Sequence, residues 1–375
     1  MKRAGHLIER VADMDNLLWA FCKAQKGKSC KKEVIDYRAN LQDNLIEMRE
    51  RLLAGDVRVG NYSTFTIYDP KERQISAATF DERVLHHALM NVCHPYFDRH
   101  LIYDTYATRI GKGTYAALDR AHKFMTCHSH VAKLDVRKYF DSIDHGILKR
   151  QLAHLIKDVY VLSAFNRIID TYHAATRGVG IPIGNLTSQY FANHYLSVFD
   201  HYLKERLGVV SYIRYMDDML LFADDGQLLK GQVQRVHDYL SEELRLQIKP
   251  PVIVKTTQGV SFLGYRLQGY RIGLNSRSRN RFIHKMNNYQ HLLETEQWSQ
   301  EEFRIHVVPL VAFAKHAYTK QYRLQLIKSQ TARLEPRESG WQLEQQRQEL
   351  PRDESQQQHS VEPQQQLGFS CCFSR

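Results

Sequence analysis

The sequence predicts an α+β fold, a split β-α-β unit closed by a helical C-terminal region, and three observations carry that prediction. Two short apolar runs suited to buried strands, residues 131–135 and 219–223, are set among stretches of helical spacing. Asp217 and Asp218 sit between the apolar runs 209–215 and 219–223, as carboxylates at the tip of a β-hairpin would. Residues 276–335 read as all-helical.

Taken in order, residues 1–60 place Leu7, Val11, Met14, Leu17 and Leu18 on one helix face. Beyond a basic link at 26–32, Leu41, Leu45, Met48 and Leu52 form another before Gly55. Residues 61–80 alternate through Tyr62, Phe65, Ile67 and Tyr68 and predict strands broken by a turn at Asp69-Pro70. A helix is expected over 81–97, a buried strand over 131–135 and an amphipathic helix over 144–156. Gly178, Gly180, Pro182 and Gly184 punctuate a loop, after which 185–206 repeats apolar residues at helical spacing. A further helix, 227–244, and short strands near 252–254 and 260–267 complete the unit. Ser299 and Glu302 form a capping box, and Pro309 is expected to kink or break the helix that they begin. From Pro336 the chain turns Gln-rich, which predicts a disordered tail. The division that follows is 1–60 helical extension, 61–268 central domain, 269–335 helical region and 336–375 tail.

With 375 residues, 43% hydrophobic and 25% charged, disorder throughout is excluded. No run approaches about 18 apolar residues, so no membrane helix is expected. Residues 1–19 lack the uninterrupted apolar stretch of a secretory signal, and a cytoplasmic location follows as the expectation. Six cysteines, none in a C-x-x-C pair, argue against a disulfide framework and structural zinc. The net charge of +11 is uneven: the tail carries a net −2, leaving +13 on residues 1–335. Such a field favours a polyanionic partner, nucleic acid first.

The chemistry concentrates in Leu134-Asp135-Val136-Arg137-Lys138-Tyr139-Phe140-Asp141 and Tyr215-Met216-Asp217-Asp218-Met219. In each, an acidic residue ends an apolar run, where an unpaired buried carboxylate costs several kcal/mol. Singly, each Asp is an ordinary turn or cap residue. Together they suit two Mg²⁺ ions, which want oxygen ligands and leave room for substrate phosphates. Two such ions about 3.5–4 Å apart stabilise both the attacking and the leaving oxygen of an in-line phosphoryl displacement.

Tyr-Met-Asp-Asp after Tyr212-Ile213-Arg214 resembles the catalytic box of reverse transcriptases, and Asp135 with Phe140 resembles their first palm motif. Gly180-Ile181-Pro182-Ile183-Gly184-Asn185 with Ser188-Gln189 is similar to the variant of diversity-generating retroelements, where most of the family has Gln-Gly and then Ser-Pro. Asn16-Leu17-Leu18-Trp19-Ala20-Phe21, Tyr106-Ala107-Thr108-Arg109 and Phe262-Leu263-Gly264-Tyr265 extend the likeness over roughly residues 7–330.

That resemblance implies a right-hand polymerase with a split β-α-β palm, interleaved fingers and an all-helical thumb. Asp135, Asp217 and Asp218 would be the catalytic, metal-binding carboxylates, joined by the backbone carbonyl of Val136, with two Mg²⁺ as cofactors. Phe140 would be the steric gate against a 2′-hydroxyl. Lys71, Arg73 and Arg109 would hold the triphosphate, and Ile183, Gly184 and Gln189 would face the nucleotide. Lys249 would protonate the leaving pyrophosphate. Arg277, Arg279, Arg281 and Lys285 of the thumb would follow the template–primer backbone. Implied partners are template RNA, a primer and its cDNA strand, deoxynucleoside triphosphates and a small basic accessory protein.

The expected function is RNA-directed DNA synthesis, which the resemblance implies is error-prone at template adenines, in part because Ile183 offers contact where a Gln would offer hydrogen bonds. The alternatives are a defence- or intron-associated reverse transcriptase and a non-catalytic nucleic-acid-binding scaffold.

Overall fold

The computed structural model describes residues 3–68 and 72–317. The expected turn at Asp69-Pro70, Lys71 and the Gln-rich tail lie outside the described residues. Four helices open the chain: α1 (Ile8–Val11), α2 (Met14–Gln25), α3 (Lys32–Ala39) and α4 (Leu41–Ala54). Asp13 caps α2 by accepting from the backbone N–H groups of Asp15 and Asn16, and Gly55 ends α4 in the left-handed conformation. The antiparallel strands β1 (Tyr62–Ile67) and β2 (Arg73–Ala78) precede α5 (Phe80–His100), which packs on α2.

After α6 (Thr114–Cys127) comes the central unit. It runs β3 (His130–Asp135), α7 (Tyr139–Ser142), α8 (His145–Leu155), α9 (Val159–Asp170), α10 (Leu186–Tyr195) and α11 (Ser197–His201). It continues through β4 (Tyr212–Tyr215), β5 (Asp218–Ala223), α12 (Gly226–Glu242) and β6 (Val252–Lys255). The sheet order β4-β5-β3-β6, with every neighbouring pair antiparallel, is the split β-α-β arrangement expected of a palm. The stretch expected as one helix over 185–206 is α10, α11 and a wide turn at Tyr202–Arg206.

Both faces of this sheet are covered, which is why its strands read as nearly unbroken apolar runs. Ala132, Leu134, Met219 and Leu221 pack into the larger core with the N-terminal helices, α5 and α8–α12. Val131, Leu220 and Phe222 face the opposite way, into a second core shared with α6 and a small sheet. That sheet corrects two expectations. Residues 260–267 are not one strand but a hairpin, β7 (Val260–Phe262) and β8 (Tyr265–Gln268), because Leu263 and Gly264 both take left-handed backbone and turn the chain. β9 (Arg271–Leu274) then pairs with β8, so residues 269–275 are not part of an all-helical thumb.

Helices begin at α13 (Ser276–Glu294) and continue in α14 (Gln300–Lys315). The Ser299–Glu302 capping box is present, but α14 runs through Pro309 without ending there. No described helix is long and apolar enough to cross a membrane.

Candidate active site

In the β3–β5 ladder Asp135 stands opposite Asp218, the last residue of one strand and the first of the other. Such antiparallel partners have Cα atoms about 4.5–5.5 Å apart. The period of two puts Lys133, Asp135, Asp218 and Leu220 on one face, the one covered farther along by the small-sheet core. The carboxylates therefore emerge where that apolar cover stops. Asp217 lies in the turn before β5, next to Met216, whose φ of +56° is left-handed. A β-hairpin thus carries one carboxylate in its turn and one at the head of its second strand, not both at the tip.

Two lysines hold Asp135 and Asp218. Lys249 donates to Asp135 Oδ1, and its backbone N–H bonds the Asp135 carbonyl at 2.8 Å. Lys133 lies 3.2 Å from Asp218 Oδ1 and 3.3 Å from Oδ2, and also donates to the Ser261 carbonyl of β7 at 2.8 Å. Burial pushes the Asp218 carboxyl up to about 6; Lys133 opposes the shift, while the charges of Asp135 and Asp217 add to it. Burial, then the charge of Asp135, likewise raises Asp217, against the pull of Lys249 and Arg73. Three carboxylates brought this close require compensating positive charge to ionise together.

Asp217, Val136, Phe140, Ile183, Arg73 and Lys249 all line one cavity of 450 Å³. Phe140 comes from the short helix α7, half-buried against the larger core. Val136 is buried, and the local bonds Arg137 N–H to Gln247 O and Lys249 N–H to Asp135 O leave its own carbonyl out of that pairing. Ile183 is tied to β2 by a bond from the Ser76 N–H to its carbonyl at 2.9 Å. Gly184 lies so close to β2 that a Cβ there would stand 2.8 Å from Ile75 Cγ2, at a φ of +119°.

Other expected residues are elsewhere. Gln189 is exposed on α10 and does not line the cavity. Arg109 is not brought to it either: its guanidinium bonds Asp98 at 2.7 Å and the carbonyls of Ile102 and Thr105 at 2.6 and 3.1 Å, so this cation closes the 98–109 loop. Arg277, Arg281 and Lys285 fall at i, i+4 and i+8 along α13, with Arg279 off that line; the three arginines are exposed.

As the side chains stand, no three carboxylate, thiolate or imidazole groups among the described residues converge as a metal cage. The donor set still fits a hard divalent cation, which takes oxygen ligands. The three acidic side chains supply only oxygens, and the buried Oδ1 of Asp218 receives no hydrogen bond. Asp135 and Asp218 are turned toward ammonium groups in the meantime.

Sequence reasoning missed Lys133. Its signal was available, because a lysine two residues before Asp135 in a strand must share its face.

Residues 68–267 match the family described as reverse transcriptase (RNA-dependent DNA polymerase). The chain is also 23% identical over 283 residues to Protein YkfC of Escherichia coli (strain K12), covering 61% of this chain and 72% of that protein. Two similar solved structures are apo telomerase from Candida tropicalis and telomerase from Candida albicans in complex with a TWJ fragment of telomeric RNA. The first has a TM-score of 0.49 at 12% identity over 73% of this chain and 60% of that one. The second has a TM-score of 0.42 at 12% identity over 64% and 52%. This chain thus spans little more than half the length of those telomerases. The family match takes in all four strands of the palm sheet and the three carboxylates at its edge, and on that extent the chain belongs to the reverse transcriptase (RNA-dependent DNA polymerase) family.

Proposed function

We propose that this chain copies an RNA template into DNA, extending a primer with deoxynucleotides, as the polymerase of a diversity-generating retroelement. The observation that carries the reading is the register of Asp135 opposite Asp218, with Asp217 in the adjoining turn on a cavity that Phe140 and Ile183 also line. Bound at these carboxylates, two Mg²⁺ ions would supply positive charge to the attacking 3′-hydroxyl and the departing pyrophosphate.

The rest is work for the chain's own groups. Phe140 packs under the incoming sugar and leaves no room for a 2′-hydroxyl. Arg73 meets the triphosphate from the β2 side, and Lys249, at the same cavity, delivers a proton to the leaving pyrophosphate. The arginines of α13 hold the template–primer by its phosphates, which position a duplex without reading sequence. Ile183 supports the finer reading, since it offers the nucleotide an apolar contact only. Template RNA, primer, deoxynucleotides and a small basic accessory protein are the partners.

The test is primer extension on a defined RNA with Mg²⁺ and four deoxynucleotides, followed by cDNA sequencing, beside an Asp217→Asn control. Extension lost in the control, with errors concentrated opposite adenine, is the expected result. Extension with a flat error spectrum replaces the retroelement reading by a defence- or intron-associated one. No difference between parent and control leaves a binding scaffold.

A further inference from the structure

We propose that Arg214 is a positioning residue for the carboxylate turn, fixing the peptide that leads into Asp217; this rests on the polymerase reading above. Arg214, in β4, is fully buried and places all five of its N–H donors. Nε and Nη2 bond the two carboxylate oxygens of Asp200 at 2.8 and 2.5 Å. Nη2 also reaches the carbonyl of Asn193 at 3.1 Å. Nη1 bonds Asn193 Oδ1 at 2.9 Å and the carbonyl of Met216 at 3.0 Å.

The receiving side is equally complete. Asp200 accepts from the Tyr212 hydroxyl at 2.9 Å and the Thr105 hydroxyl at 3.2 Å. The Arg214 backbone is held from outside by Asp104 O and the Tyr106 N–H, both at 3.0 Å.

Stability alone does not account for this arrangement. A buried ion pair is often matched or bettered by well-packed apolar residues of similar volume. An apolar pair cannot donate to the Met216 carbonyl. That carbonyl belongs to the planar peptide joining Met216 to Asp217, so holding its oxygen sets the plane from which the Asp217 side chain departs. The hold is needed because Met216 is left-handed, a conformation that a non-glycine residue adopts only when its surroundings impose it. Asn193 carries the constraint further, since it belongs to α10, the helix entered from the Ile183–Gly184 loop. One guanidinium thereby locks the metal-side turn to the helix behind the nucleotide-side loop. A lysine ammonium, a point charge without the fork, could satisfy Asp200 but not hold all these acceptors in place.

Parent, Arg214→Lys, Arg214→Met and Asn193→Ala proteins should be compared by single-turnover extension normalised to active sites. Deoxynucleotide KM, thermal melting and Mn²⁺ binding by electron paramagnetic resonance complete the set. The expected result is a kcat about 10–100-fold lower in Arg214→Lys, lower still in Arg214→Met, with KM within about two-fold and weaker Mn²⁺ binding. Normalised kcat and Mn²⁺ affinity equal to the parent in Arg214→Lys would mean that the residue serves folding alone, and would overturn the proposal. Should both Arg214 variants fail to fold, Asn193→Ala decides: it leaves the Asp200 pair intact and removes the Oδ1 brace on Nη1 together with the Asn193 Nδ2 bond to the Ala107 carbonyl at 2.8 Å, so an unchanged normalised kcat there also overturns it. A parent as inactive as Asp217→Asn sinks the polymerase reading instead, while the Mn²⁺ measurement still reads the geometry of the turn.

Discussion

Asp135 and Asp218 are cross-strand partners in the β3–β5 ladder, and each is held by its own lysine, Lys249 and Lys133. The chain therefore spends two cations to keep one pair of facing carboxylates in place. Asp135→Asn or Asp217→Asn should lower primer extension by about three orders of magnitude, some 4 kcal/mol of barrier. Melting temperature should hold or rise. Active-site-normalised extension checks it, and retention of activity within ten-fold refutes the assignment.

The raised Asp218 carboxyl predicts a pH dependence in metal-free protein. In the unfolded chain this group titrates near 3.8, in the fold near 6, so the native state holds the extra proton between those values. Its stabilising contribution is present below the lower value and is lost as pH rises through the upper one. Two pH units correspond to at most about 3 kcal/mol. Urea titrations from pH 4 to 7.5 should show parent stability falling relative to Asp218→Asn across that window. Saturating Mg²⁺ should reverse the trend above pH 6; parallel curves would contradict the burial account.

Lys133 is the counterpart of that carboxylate. In Lys133→Met protein, Asp218 stays buried beside two other acids with its ammonium removed. Loss of about 1–3 kcal/mol is expected at neutral pH, scaled down from a fully buried pair because both side chains retain some solvent. Mg²⁺ should restore more stability to this variant than to the parent. Chemical denaturation with and without Mg²⁺ measures it, and equal increments would count against Lys133 as a neutralising group.

Phe140 lines the cavity that also holds Asp217. Phe140→Ala should admit ribonucleotides, reducing discrimination against them by about 10–100-fold, a steric loss of roughly 1–3 kcal/mol. Incorporation of each ribonucleotide against its deoxy form, compared by kcat/KM, tests this. A ratio equal to the parent's removes the gate from Phe140.

Ile183→Gln gives back the hydrogen-bonding side chain expected of the wider family. Misincorporation opposite template adenine should fall several-fold, within the range that one polar contact provides, while extension continues. Sequenced cDNA decides; an unchanged adenine error frequency separates Ile183 from fidelity.

Much of this was legible in the chain before folding. The apolar runs of β3 and β5, the helix over 144–156, the Ser299–Glu302 cap and the placing of Asp135, Asp217 and Asp218 at the ends of strands follow from periodicities and short motifs that depend on neighbours a few residues away. Pro309 shows the limit of such rules. Removing one helical N–H costs about 3 kcal/mol in isolation, yet α14 continues, packed on α13 and joined to the small sheet by the Tyr265 hydroxyl on the Phe313 carbonyl at 2.6 Å. Arg109 shows another: its motif marked it as a phosphate ligand, but Asp98, eleven residues earlier, claims its guanidinium.

What the sequence by itself determined is the set of elements and which of them end in carboxylates, because side-chain period and turn chemistry are local properties. What only the tertiary structure decided is which charges meet: Lys133 with Asp218, Lys249 with Asp135, Arg214 with Asp200 and the Met216 carbonyl. Those pairings depend on strand register and helix placement across up to 114 residues of chain. They are selected by burial, which makes an unpaired charge too costly to keep and so leaves one arrangement in which each finds a partner.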